Sequence, residues 1–308
     1  MNFFSTDSFL HALAAAWWPG QRSAIELFTL EGKTFRLLVI DGKQVVRNWA
    51  FFDFAEPLAP GSDGPSRPLD YLPWTVLRTT PSERKFAAGS SRLRPAPFIQ
   101  WAQFPDRAAF EAHTGTKERD SRQRRKKVEK DLGPLLFTFD DPSPEAFEQC
   151  LKWKSAQYLA TGNVDLFADP RQVEMFRLLR EKKVAVVSSL RAGTQLIAAH
   201  LGALADQRFY WWVPAYDATL HKYSPGRLLL EAALAESQER SHLEFDFLIG
   251  DEDYKWHYAT HNREIGPLGQ PPLALRVQEE AKKRLKGALA RFPRALDLAR
   301  DLRKRLTR

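Results

Sequence analysis

Hydrophobic and polar positions alternate along SAIELFTL (23–30), KTFRLLVI (33–40) and QVVRNWAFF (44–52), with the turn-like EGK and DGK between them. A period of two places one set of side chains on a buried face, so these runs predict an antiparallel meander. Before it, MNFFSTDSFLHALAAAWWPG has helical spacing and stops at Pro19-Gly20. Asp7 precedes the apolar stretch and no basic segment does, so an amphipathic helix is expected there rather than a secretory leader. EPLAPGSDGPSRP (56–68) is a loop, and SERKFAAGS (82–90) is a helix between short strands in DYLPWTVLRTTP and PAPFIQWAQF.

A second run has a different order. LLFTFD (135–140) is a strand, and PEAFEQCLKWKSAQYLA (144–160) and RQVEMFRLLREKK (171–183) are amphipathic helices. VAVVSSLRAGTQLIAAHLGALADQRFYWWVPAY (184–216) predicts three strands joined by RAGT and ADQR turns. A helix opening at Ser224-Pro225-Gly226, a strand in LEFDFLI (243–249) and a loop GDEDYKWHY (250–258) complete it. The expected class is α+β: two halves, 1–115 and 116–275, each a mixed and largely antiparallel sheet flanked by helices, followed by a basic helical tail at 276–308.

Charge changes this picture only at the tail. Of 46 basic and 38 acidic residues, 12 basic and 4 acidic lie in 276–308, so the tail holds the whole net charge of +8. A neutral body does not suit a protein that coats nucleic acid. In the tail Ala295, Leu298, Leu302 and Leu306 recur at helical spacing among Arg and Lys. That pattern fits an anionic membrane surface, an acidic partner, or a helix packed on the body with a wet basic face. A lone cysteine, Cys150, excludes an internal disulfide. No apolar run is long enough to cross a bilayer, so the expected location is the cytoplasm, with peripheral attachment to the inner membrane through the tail.

HKYSPGRLLLEAALAES (221–237) poses the main chemical question. Ser224 suits an N-cap and Pro225 the first helical position. The same start, beside a residue with no side chain, can admit a phosphate to free backbone N–H groups. In LEFDFLI, alternation sets Leu243, Phe245 and Phe247 against Glu244 and Asp246. A carboxylate among phenylalanines needs a partner, and Lys255 is the expected one, either as a structural salt bridge or as part of a catalytic pair. Asp251, Glu252 and Asp253 form an acidic tip, a solvated turn or a lure for a cationic amine. His200 lies among small neighbours, as a structural histidine or a second base. His257 and His261 are four apart, as helix-borne metal ligands would be, but no third ligand accompanies them and no metal is expected. Phe209–Trp212 is core packing or the lining of an acyl or sugar channel. The helix RQRRKKVEK (122–130) is a solvated face or a contact for an anionic acceptor.

Four segments in order, RQRRKKVEKDLG (122–133), LRAGTQLIAAHLGAL (190–204), KYSPGRLLLEAAL (222–234) and FDFLIGDEDYK (245–255), resemble the GNAT acyl-CoA N-acyltransferase superfamily. Within it they are similar to the CelD/BcsL branch, associated with bacterial cellulose and exopolysaccharide production. That branch is similar to FemAB-type aminoacyl transferases, which carry two GNAT-like halves. The resemblance implies acetyl-CoA or another acyl-CoA as co-substrate and a sugar or nucleotide-sugar acceptor. It implies a donor pyrophosphate at Lys222, Tyr223, Ser224, Gly226, Arg227 and Leu228, and chemistry by Asp246, Lys255 and His200. Asp246 would act as base or orient the amine, with Lys255 steadying negative charge. Gly226 is the one glycine kept from the usual Q/R-x-x-G-x-G/A loop, which leaves aminoacyl-tRNA open as donor, the one route by which a nucleic acid would be a partner. A catalytically lapsed scaffold in a polysaccharide assembly complex stays open too.

Overall fold

The computed structural model describes residues 2–61, 64–82, 93–115, 118–273 and 276–277. The tail beyond Val277 and, apart from Ser82, the helix expected at 82–90 lie outside them.

Helix α1 (Asp7–Trp17) begins where Thr6 accepts the Phe9 N–H at 3.3 Å. It buries Phe9, Leu10 and Leu13 and packs against α5 (Pro170–Glu181). Each such side chain is worth about 1.5–3 kcal/mol once removed from water. The expected meander is β1 (Ser23–Leu30), β2 (Lys33–Ile40) and β3 (Gln44–Val46). Its first hairpin turns on Glu31-Gly32, with φ of 48° and 74°. Two consecutive positive φ values are what a tight hairpin matching the strand twist requires. Strand β4 (Ser66–Pro68) joins β1 in parallel.

Among the described residues a second sheet has the order β5-β12-β6-β11-β10-β9-β8-β7. These are β5 (Tyr71–Pro81), β6 (Arg94–Gln100), β7 (Leu135–Thr138), β8 (Ala185–Ala192), β9 (Gln195–Ala205), β10 (Arg208–Tyr216), β11 (Glu244–Asp246) and β12 (His261–Gly269). The sheet takes strands from both sides of residue 115, so the two halves share it. All pairings in it are antiparallel except β10–β11. Helix α4 (Pro144–Ala160) covers β9 and β10 on one face together with α5 and α1; α6 (Pro225–Glu239) covers the other beside α3 (Glu118–Leu132).

Several local expectations are corrected. LEFDFLI is regular only over Glu244–Asp246, because Leu248 turns to a φ of 61°. The stretch expected as a loop contains helix α7 (Asp253–Tyr258), and β12 follows it. Helix α2 (Arg107–Thr114), capped by Asp106, also escaped the periodicity. His257 therefore lies on α7 and His261 on β12, stacked on Phe98, so they are not a helix-borne pair.

Candidate active site

The pairing of β10 with β11 ends early. It runs from Arg208–Glu244 through Tyr210–Asp246 and stops. Beyond it the chain follows β6, since the Phe247 and Gly250 N–H groups go to the Pro97 and Pro95 carbonyls at 3.1 and 2.9 Å. Strand β10 continues with β9 to Tyr216. Two parallel strands that part leave a wedge between their carboxyl ends, the place where α/β sheets bind ligands.

A cleft of about 770 Å³ lies there. Trp211, Pro214 and Tyr216 of β10 line it, with Lys154 and Gln157 of α4, Ser224, Gly226 and Arg227 at the start of α6, and Glu252 and Tyr254 at α7. Of the sequence-predicted donor residues, then, Ser224, Gly226 and Arg227 reach the cleft. Tyr223 is buried with its hydroxyl donating to Asp131 at 2.9 Å, Lys222 sits over the Tyr223 ring, and Leu228 belongs to the core.

The start of α6 departs from the expected cap. Ser224 is left-handed, with φ 55° and ψ 50°, and its side chain caps nothing. Its carbonyl instead takes the Arg227 and Leu228 N–H groups at 3.0 and 3.2 Å. Pro225 has no N–H, which leaves Gly226 as the residue of this turn whose N–H is not folded back on Ser224. Glycine also leaves room for a neighbour, because a Cβ would lie 3.0 Å from the Tyr216 ring and require it to shift.

Asp246, Lys255 and His200 do not line the cleft. Asp246 is fully buried, and its partner is Arg263 at 2.9 Å rather than the expected Lys255. Arg263 also bonds Glu244, and Arg208 links Glu244 and Glu56 at 3.2 and 2.7 Å. Burial pushes the Asp246 carboxyl up to about 6, against the pull of Arg263. Arg263 was missed because β12 was missed: HNREIGPLG, four polar residues followed by Ile-Gly-Pro-Leu-Gly, carries no hydrophobic alternation.

Lys255 donates to the carbonyls of Ile249 and Leu248 at 2.9 and 3.4 Å and stands 3.1 Å from Glu252. It ties down the turn that carries Glu252, and its ammonium lies over Gly250, where a Cβ would come within 2.3 Å of it. His200 accepts the Trp212 N–H at 2.9 Å, at the point where the β9–β10 register shifts. That bond assigns the ring proton to Nδ1. Burial holds the ring well below its ordinary pKa, so His200 is a neutral structural acceptor.

Lys154 is one of several cleft residues the sequence did not disclose. Its ammonium donates to the Pro214 carbonyl at 3.2 Å, and burial lowers its pKa. Nothing in an amphipathic helix marks one lysine as cleft-facing. Glu252 and Asp253, at the acidic tip, are exposed and line the same cleft. Among the described residues no group of His, Cys, Asp and Glu is placed to hold a metal, and no helix is long and apolar enough to cross a membrane.

Residues 116–256 match the family described as an acetyltransferase (GNAT) domain. Among solved structures, that of FemX aligns over 86% of this chain and 91% of that chain, at 9% identity and a TM-score of 0.53. The L-PGS of Bacillus licheniformis aligns over 94% of this chain and 98% of that one, at 11% identity and a TM-score of 0.49. The C-terminal domain of a putative lysylphosphatidylglycerol synthetase from Agrobacterium fabrum covers 90% and 92%, at 12% identity and a TM-score of 0.49. No curated protein matches. With the parted β10 and β11 and the cleft between them, the domain match over 116–256 gives this chain a GNAT-type acyltransferase fold.

Proposed function

We propose that the protein transfers an acyl group from acyl-CoA to an amine, with the donor in the cleft between β10 and β11. The observation that carries this is the coincidence of three predicted donor residues, Ser224, Gly226 and Arg227, with the mouth of that cleft. Arg227 and the Gly226 N–H would meet the donor's phosphates at the positive end of α6. Trp211, Pro214 and Tyr216 offer the apolar wall along which a thioester arm would run. The amine would enter past Glu252 and Asp253. Its nitrogen attacks the thioester carbonyl, the C–N bond forms, the C–S bond breaks, and the thiolate takes a proton. Glu252 is the side chain we assign to accept the ammonium proton, with Lys255 holding its turn. Asp246 and His200 then support the strands rather than the reaction. Acetyl as the acyl group and a sugar-derived acceptor in exopolysaccharide or envelope assembly rest on the sequence resemblance.

One observation favours a second reading, an aminoacyl-tRNA donor: the FemX fold spans both halves of this chain and not the GNAT domain alone. Calorimetric titration with acetyl-CoA and CoA separates the two. Acyl-CoA use requires binding to the wild type that weakens about tenfold, or about 1.4 kcal/mol, in Arg227→Ala. No CoA binding by the folded protein, with retention of charged tRNA, would transfer the assignment to the second reading.

A further inference from the structure

A second cleft, of about 460 Å³, lies on the other side of Tyr258 between α2, α3 and α6. Arg107, Arg122, Arg125, Glu231, Gln238 and Tyr258 line it. The carboxylates around it are already engaged. Glu111 takes Arg107 at 2.7 Å, and Glu231 is shared by Arg227 at 3.0 Å and Arg124 at 3.4 Å. Among the described residues that line the cleft, three arginines (Arg107, Arg122 and Arg125) stand with two carboxylates (Glu111 and Glu231). One buried polar group at the cleft is also left without an acceptor: the Tyr258 hydroxyl, in a residue 3% exposed that borders both clefts, with the Arg227 guanidinium beside it. Buried donors without acceptors are costly in a folded protein and rare unless a ligand or water completes them.

We propose that this cleft is a second anion site, built for the phosphate or diphosphate of a small phosphorylated ligand. Such a group is compact, carries several acceptor oxygens and suits planar guanidiniums in pairs. Arg122 and Arg125 meet it at the rim, and the Tyr258 hydroxyl donates to it from the floor. The charged helix at 122–130 then has a purpose that a solvated face lacks: it closes an arginine-lined pocket against α6. Tyr258 borders both clefts, and Arg227, which lines the first, is paired at 3.0 Å with Glu231, which lines the second. The site does not depend on which donor occupies the first cleft.

The test is calorimetric titration of the full chain with inorganic pyrophosphate at low and moderate salt. The set comprises wild type, Arg125→Ala, Arg122→Ala and Tyr258→Phe, with thermal melts of each. The expected result is salt-dependent binding that falls at least tenfold in either arginine variant. In Tyr258→Phe it should fall severalfold, with a melting temperature equal to or above that of wild type. Both arginines are exposed helical positions, so folding should survive their loss. Pyrophosphate bound equally well by Arg122→Ala and Arg125→Ala would put the anion elsewhere and overturn the proposal. So would the absence of binding at millimolar pyrophosphate. Binding of an RNA homopolymer that pyrophosphate does not displace would also overturn it, in favour of a nucleic-acid surface.

Discussion

The two ends of the β10–β11 pair share a backbone arrangement and differ in everything else. Where the strands are paired, at Arg208–Glu244 and Tyr210–Asp246, charged side chains are packed out of water and answered by one another. Where they part, past Tyr210, the walls are aromatic on one side and ionic on the other, and the space between them is open. Buried charge is costly, so a chain keeps it only where partners surround it. At the paired end the partners are other strands. At the parted end Arg227 is held by Glu231 and Glu252 by Lys255, and both Arg227 and Glu252 still face solvent. Asp246 looked catalytic because it is an acid among phenylalanines; its surroundings make it part of what holds the strands together up to the point where they separate.

Removing Arg263 attacks the paired end most directly. The Arg263→Ala variant strips Asp246 of its guanidinium and Glu244 of one of two. The expected loss is about 3–5 kcal/mol, the usual cost of leaving a buried charge unanswered, read from urea unfolding. The 3.8 Å stacking of Arg263 on Phe98 goes with it. A loss below about 1 kcal/mol would mean that the network is wet and the contrast between the two ends is false.

Gly250→Ala probes the hinge between the ends. Gly250 has φ 153°, and an added Cβ would lie 2.1 Å from Glu252 Oε2 and 2.3 Å from Lys255 Nζ. The side-chain ends can yield, but the backbone cannot, so about 1–3 kcal/mol of stability should go. Because the displaced groups hold the Glu252 turn, turnover should fall by more than donor affinity does. Equal losses in both, or in neither, would separate Glu252 from the chemistry assigned to it.

Much of this was legible in the chain, and what was not has a physical pattern. The meander, α4 and α5 follow from periodicity, and the strands of 185–216 from apolar runs set between turn residues, since Ala185–Ala192 and Gln195–Ala205 are buried on both faces. The β10–β11 parting is not legible, since the apolar run Phe247-Leu248-Ile249 after Asp246 suits a continuing buried strand as well as a change of neighbour. Only the pairing with β6 reveals that the chain has changed neighbours. Asp246 with Lys255 was a reasonable pairing by proximity in sequence, but a sheet pairs residues by register, and Arg263 is brought in by β12. Ser-Pro-Gly marked a helix start that lies at the cleft, although Ser224 enters it by a left-handed backbone rather than by capping. Lys154 gave no signal, as cleft and solvent faces of a helix look alike in sequence.

A smaller effect separates the ends by pH. The folded pKa of Asp246, about 6, lies above its ordinary 3.8, so between those values the native state binds more protons than the unfolded chain. Its contribution to stability therefore declines as pH rises through that window. Measured from pH 4 to 7, the stability of wild type relative to Asp246→Asn should fall with increasing pH, while donor affinity shows no step that the variant lacks. A difference that stays flat would show the carboxyl to be ionised throughout.

The smallest expected effect belongs to Cys150, and it bears on mechanism. An acyl-enzyme route needs a thiolate that can reach the donor carbonyl. Cys150 is fully buried on α4, its thiol donating to the Val213 carbonyl at 3.4 Å, and burial pushes its pKa up to about 12. Lys154, one turn further along the same helix, lines the cleft and Cys150 does not. Alkylating reagents at pH 8 should leave the native protein unlabelled and label it fully in denaturant. Cys150→Ala should keep turnover within about twofold, a change of about 0.4 kcal/mol in barrier, while losing a little stability to the cavity. An acyl adduct on Cys150 in mass spectrometry, or turnover lost with the thiol, would replace direct attack by a two-step route and move the reacting carbonyl to the far side of β10.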